Sequence, residues 1–181
     1  LPYANVDVAA IKPAIGNSVD TPVVLHAPSH RGVKGTRYIL DAVNRLKSEG
    51  EQFEFVLIEG MQNKEAMHLY LRADLLVDQL LAGWYGGLAV ELMALGKPVI
   101  SYLREQDLGY LPAEMRSNLP VISATPGSIY AVLREWLTVR RGQLPEVGGR
   151  SRAYAEAWHD PRKVAAQMKQ VYEGLRNRLP Q

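Results

Sequence analysis

The chain of 181 residues contains no cysteine. Disulfides, thiolate metal sites and a cysteine nucleophile are therefore excluded. A formal charge of +2 leaves no basic excess for gripping nucleic acid or an anionic membrane surface. No apolar run approaches the roughly 20 residues that span a bilayer. No basic segment leads into an apolar one at the N-terminus, so no signal peptide is read. With Leu1 as its first residue, the chain reads as a cytoplasmic fragment of something longer. Gly-x-Ser-x-Gly is absent, which removes the nucleophile elbow. The four histidines have no acidic partners at metal-ligand spacing, so no metal is expected. There is no internal repeat and no low-complexity tract. What remains is ordinary: 47% hydrophobic and 22% charged residues suit one soluble domain with its own core.

Residues 1–22, with Pro2, Pro13, Gly16 and Pro22, read as an irregular lead-in or linker, and residues 23–181 as one domain. Apolar runs predict strands at 23–27, 53–58, 74–78, 98–102 and 119–122. Between the first two lies a polar loop, 28–35. A helix capped by Thr36 or Gly35 follows, with Tyr38, Ile39, Ala42, Val43 and Leu46 at helical spacing, and Gly50 closes it. Asn63 caps a helix carrying Ala66, Met67, Tyr70 and Leu71. Residues 103–118 read as loop with a turn of helix, 128–141 as helix, and 142–149 as a break. Helices over about 150–158 and 161–177 complete the chain, the last with Pro161 at its first position. That helix carries Val164, Ala165, Met168, Val171, Tyr172 and Leu175 as an apolar stripe. Strand–helix alternation implies an α/β fold, a Rossmann-like parallel sheet with helices on both faces. Ligands on such sheets sit beyond the carboxyl ends of the strands. The loops that meet there are 28–35, 59–63, 79–87 and 103–110.

One stretch organises the rest: Gly83-Trp-Tyr-Gly86-Gly87-Leu-Ala-Val-Glu91-Leu-Met-Ala-Leu-Gly96-Lys-Pro98-Val-Ile. Glycines let a ligand approach the backbone closely. A helix over 87–95 ends at Gly96, and Pro98 prevents its continuation. Unpaired amides at such a helix start, with the positive dipole end, suit a phosphate. Glu91 lies about one turn in, and helical side chains lean toward the N-terminus. An acidic residue there is favourable for dipole reasons alone, and a glycine turn by itself is a weak signal.

This stretch resembles the segment E-G-F-G-x-x-x-x-E-A-M-A-x-G-x-P-V-I of family-four retaining glycosyltransferases, in the C-terminal half of their GT-B fold. Gly83–Gly86 and Glu91–Ile100 fall in register with it, and the similarity runs from about residue 20 to the end. The resemblance implies that Glu91 binds the nucleotide ribose. Gly83 replaces the family's first glutamate, a donor-sugar contact. It implies that Lys34, of the Lys34-Gly35 pair, contacts the diphosphate. Ser29 stands where the family has its arginine, so Arg31 would reach in from two residues on; a solvated basic loop is the other reading of both cations. Met61 and Gln62 would touch the base, and Tyr85, Gly86, Gly87 and Leu88 would offer amides to the diphosphate and sugar. Glu59 could be a strand-end carboxylate paired with Lys34. His26 reads as a satisfied, partly buried histidine, and His68 and His159 as surface residues. Trp136, Trp158 and the tyrosines read as helix-face core.

The function this implies is donor binding in a hexosyltransferase that uses a nucleotide diphosphate sugar, UDP or GDP, with retention and without a cofactor or metal. Lys34, Arg31 and the amides would stabilise the departing diphosphate. The acceptor, a glycan or lipid-linked molecule, would sit on a missing N-terminal domain, through which peripheral membrane association could arise. The fragment alone would transfer little. A UDP-sugar epimerase would share the cradle but needs an acid–base pair, and no clear carboxylate pair is present. A degenerate scaffold domain is the other alternative, because Gly83 and Ser29 fill two expected polar positions.

Overall fold

The computed structural model describes residues 6–14 and 21–176. The strands are β1 (Val23–His26), β2 (Glu54–Leu57), β3 (Leu75–Val77), β4 (Val99–Ser101) and β5 (Ile122–Ser123). They form a parallel sheet in the order β2-β1-β3-β4-β5. Successive strand residues point to opposite faces, so each strand feeds two cores. Leu25, Leu76 and Val99 enter one; Val24, Leu75, Val77 and Ile100 enter the other. Helices α3 (Asn63–Arg72), α4 (Gly87–Ala94) and α8 (Leu144–Trp158) cover the first face. Helices α2 (Thr36–Ser48) and α7 (Ile129–Leu137) cover the second. Val6 and Val8 of the lead-in are buried in the first core.

The chain leaves β1 toward one edge, through α2 to β2, and leaves β3 toward the other, through α4 to β4. Adjacent strands whose connections diverge in this way open a crevice at their carboxyl ends. Here that crevice lies between the segment after β1 and the segment after β3.

Several local expectations are corrected. The loop 28–35 holds one helical turn, α1 (Arg31–Lys34), with the His30 ring accepting from the Val33 amide at 3.4 Å and Gly35 left-handed at φ 75°. Gly35 also serves as the N-cap of α2. Gln62, not Asn63, is the N-cap of α3. The 103–118 loop contains α5 (Glu105–Leu108) and α6 (Ala113–Ser117). β5 begins only at Ile122. Helix α7 stops at Leu137, and the expected break at 142–149 is a 3-10 turn, Arg141–Gln143, running into α8. Pro145 sits in the first turn of α8, where its missing N–H costs nothing. The last helix, α9 (Pro161–Arg176), packs on α8 but buries none of its residues. Val171, Tyr172 and Leu175 of its stripe are more than half exposed, so the stripe is not part of this core.

Candidate functional site

The crevice between β1 and β3 is lined by residues that the chain brings from 44 positions apart. Lys34, at the end of α1, extends its ammonium to Asp78, the residue just past β3, with Nζ–Oδ1 at 2.7 Å. The other Asp78 oxygen accepts from the Gly86 amide at 2.6 Å. Both side chains are withdrawn from water, with 12% of Lys34 and 1% of Asp78 exposed. A main-chain bond from Leu80 N to Lys34 O, 3.1 Å, ties the two segments together.

Gly86 is glycine for a steric reason. A Cβ there would lie 2.9 Å from Lys34 Nζ and 3.3 Å from Asp78 Oδ2. It is the N-cap of α4 and no side chain caps that helix. The amides of Gly87 and Leu88, the first helical residues, therefore have no intrahelical partner. The ammonium of Lys34 stands against the positive end of the same helix. Two positive features in contact with one glycine make an anion-accepting corner, partly neutralised by Asp78.

Arg31 is exposed at the rim and pairs with Glu59, the residue after Ile58 at the end of β2. Its Nε–Oε1 distance is 2.6 Å, with a second, very short contact from Nη2. Glu59 thus pairs with Arg31 and not with Lys34, and the guanidinium holds its carboxyl below the usual carboxylate range. Exposed pairs of this kind exchange easily. Ser29 is exposed beside this loop, and Met61 and Gln62 are exposed at the start of α3. Gly35 is buried against Leu80 and Leu81.

Glu91 lies in α4 five residues past Gly86, about 7.5 Å along the axis at 1.5 Å per residue, and is half-buried. Its charge reaches Tyr70 of α3: burial, and secondarily Glu91, push the Tyr70 hydroxyl above its ordinary value. Lys34 stands at the start of the helix that carries Glu91.

Some residues were missed by sequence reasoning. Asp78 had a faint signal, as a charged residue directly after an apolar strand. The side chain of Tyr85 is fully buried and shares hydrogen bonds with His159 Nε2 at 2.9 Å and Tyr154 Oη at 3.3 Å, a role beyond the backbone amide expected of it. His159 is fully buried as a result, contrary to its expected surface position. It follows α8 at a chain break, where solvent exposure is the usual outcome. Burial pushes the Tyr154 hydroxyl to about 12, against a partial offset from Tyr85. This cluster anchors the glycine turn to α8 from beneath. Gln79 secures it from the side, its amide bonding Trp84 O.

His26 is buried completely, more than expected. Its Nδ1 meets the Val77 carbonyl at 2.7 Å and its Nε2 meets Thr36 Oγ1 at 2.9 Å. A carbonyl only accepts, so Nδ1 carries the hydrogen and Nε2 accepts from Thr36. The ring is a strut between β1, β3 and α2 below the crevice. Trp136 and Tyr154 are core residues as expected, whereas Tyr110 and Tyr172 are exposed.

No protein-family model and no functionally curated protein matches the sequence. The fold has many counterparts among solved structures. HepE of Anabaena, solved with UDP-glucose, aligns at a TM-score of 0.58 and 14% identity over 87% of this chain and 50% of that one. Sucrose-phosphate synthase of Thermosynechococcus elongatus aligns at 0.58 and 20% identity over 96% and 49%. The C-terminal domain of a group 1 glycosyl transferase, LpcC of Francisella tularensis, aligns at 0.54 and 14% over 84% and 97%. The chain thus has the Rossmann-like fold of the C-terminal domain of GT-B glycosyltransferases. It spans about half the length of HepE and sucrose-phosphate synthase. No helix among the described residues is long and apolar enough to cross a membrane.

Proposed function

We propose that this chain is the nucleotide-sugar-binding half of a glycosyltransferase. The observation that carries the reading is Lys34 Nζ held against Gly86 at the start of α4, in the crevice where the strand connections diverge. A diphosphate seated there meets one ammonium and the free amides of Gly87 and Leu88. Arg31 swings in from its exposed pairing with Glu59 and adds a bidentate donor. These groups grow in effect as negative charge develops on the leaving diphosphate, which is electrostatic catalysis without a metal ion. Glu91 accepts from the ribose hydroxyls, and the α3 start at Met61 and Gln62 lies on the base side. The transferred group is a hexosyl unit, leaving with retention. Neighbours of the same fold were solved with UDP-glucose and UDP, which supports UDP as the first nucleotide to try.

The acceptor sits on a second domain. Support for that partner is the apolar stripe of α9, exposed at Val171, Tyr172 and Leu175, together with a length about half that of the matched enzymes. This chain alone therefore binds donor and transfers little.

One observation favours a second reading, a scaffold domain without catalysis: Lys34 and Arg31 are each already paired with a carboxylate. Calorimetry with UDP, GDP and ADP separates the two. The donor-binding reading expects heat with one of them and at least about tenfold loss in Lys34→Ala and Glu91→Ala. No heat with any nucleotide is what the scaffold reading expects, and binding left unaltered by a double variant, Lys34→Ala with Glu91→Ala, ends the donor-site reading.

A further inference from the structure

Lys34 and Arg31 are each held by a carboxylate, and the two pairs are built differently. Lys34 and Asp78 are sunk in the crevice, 12% and 1% exposed, and Asp78 also receives the Gly86 amide. Arg31 and Glu59 lie on the rim, 59% and 35% exposed. Burial fixes the first pair, because parting it would strand a charge away from water. The second pair is screened by water and exchanges freely.

The sheet order gives the rim pair a direction. β1 runs between β2 and β3. Arg31 belongs to the segment after β1, Glu59 to the segment after β2, and Asp78 and Gly86 to the segment after β3. Neighbouring strands stand roughly 4.8 Å apart. Glu59 therefore draws the guanidinium toward the β2 flank, whereas Lys34, Asp78 and the Gly86 amide meet on the β3 flank. The atoms closest to a Cβ placed on Gly86 accordingly belong to Lys34 and Asp78, not to Arg31. The hold on Arg31 is two-pronged. Glu59 Oε1 accepts from Nε at 2.6 Å and Oε2 accepts from Nη2, so the edge of the guanidinium that carries Nε is taken. A phosphate presents to that edge the same pair of oxygens as a carboxylate, and the edge accommodates one of them at a time.

We infer that Glu59 is a built-in competitor of the diphosphate. It keeps Arg31 off the corner until a ligand phosphate displaces it, and it recaptures the guanidinium when the nucleotide departs. The inference rests on the donor-binding reading and adds a regulation of that same site. One ion pair is exchanged for another, so affinity is held below what the corner and a free Arg31 would reach together. The same exchange speeds release of the product nucleoside diphosphate.

The test is equilibrium and stopped-flow binding of UDP, GDP and ADP to the intact chain, to Glu59→Gln, to Arg31→Ala and to the double variant. Glu59→Gln keeps the shape of the side chain and removes its charge. It is expected to tighten binding about two- to fivefold, chiefly through slower dissociation, with the melting temperature unchanged. Arg31→Ala is expected to weaken binding, and Glu59→Gln added to it to change nothing further. Unaltered or weaker binding by Glu59→Gln overturns the inference, the weaker result meaning that Glu59 orients Arg31 instead of withholding it. A gain that persists in the Arg31→Ala background also overturns it, because the carboxylate then acts by plain repulsion. In these cases nucleotide binding by the parent chain leaves the donor-binding reading standing. A chain that binds none of the three nucleotides overturns both.

Discussion

Asp78 shows how one residue alters the meaning of its neighbours. Lys34 and the Gly86 amide would each be an unremarked donor, yet a single carboxylate gathers both at the start of α4. Burying an ion pair is of uncertain net value, but removing one partner strands the other charge. Asp78→Asn should therefore destabilise the fold by about 3 kcal/mol, read from urea denaturation, because Lys34 is left mostly buried without its counter-ion. The carboxamide oxygen of that variant still accepts from the Gly86 amide, so the amide side of the corner survives. A loss under about 1 kcal/mol would mean that Lys34 simply swings out to water and that the pair does not shape the site. The Lys34-Gly35 pair and the Gly86-Gly87 turn were legible in sequence because short-range patterns carry them. Their counter-ion was not, since its partner lies 44 residues away.

Among elements, α8 shows the difference between a glycine that packs and one that does not. Gly148 and Gly149 are adjacent in the same helix. A Cβ at Gly148 would lie 2.2 Å from the Gly96 carbonyl oxygen, a backbone atom that cannot step aside, whereas one at Gly149 meets nothing within 4 Å. Gly148→Ala should cost about 1–3 kcal/mol through overpacking, prising α8 from the α4–β4 turn. Gly149→Ala should gain about 0.5–1 kcal/mol from helix propensity. Thermal melts of the two variants must move in opposite directions; a shift of the same sign in both would mean that α8 does not seat on Gly96. The same contact explains in part why the start of α8 resisted sequence reading: Gly148, which argues against a helix, is there because the helix crosses another backbone. Arg152 of α8 clamps this junction, donating to the carbonyls of Ala94 at 2.6 Å, Ile11 at 2.8 Å and Val8 at 3.0 Å.

For the whole molecule, the buried His26 strut links stability to pH. Burial lowers its pKa below 6.5, opposed in part by the Val77 carbonyl and then by the Asp78 carboxylate. The unfolded chain takes up its proton first as pH falls, so stability held above about pH 6.5 is lost below it, down to the lowered value in the fold. Melting temperature should fall more steeply between about pH 7.5 and 5.5 in the parent protein than in His26→Gln, and parallel curves would refute the linkage. At this scale α9 is the conspicuous element: an amphipathic helix whose apolar stripe is left in water at Val171, Tyr172 and Leu175. Its periodicity read correctly as a helix, but periodicity says only that a face wants cover, not that this chain supplies it.

Local order was written in the sequence: the alternation of strand and helix, the glycine-started α4 and its stop at Gly96 and Pro98 all follow from propensity, period and steric rules that act over a few residues. Which side chains meet was settled only by the sheet order β2-β1-β3-β4-β5. That order sets the β1 and β3 ends side by side, so that Lys34 meets Asp78; the β1 and β2 ends, so that Arg31 meets Glu59; and the β3 and β4 ends, so that Arg104 covers Gly83. Contacts between residues tens of positions apart arise from how the strands are threaded, and no window along the chain contains that information.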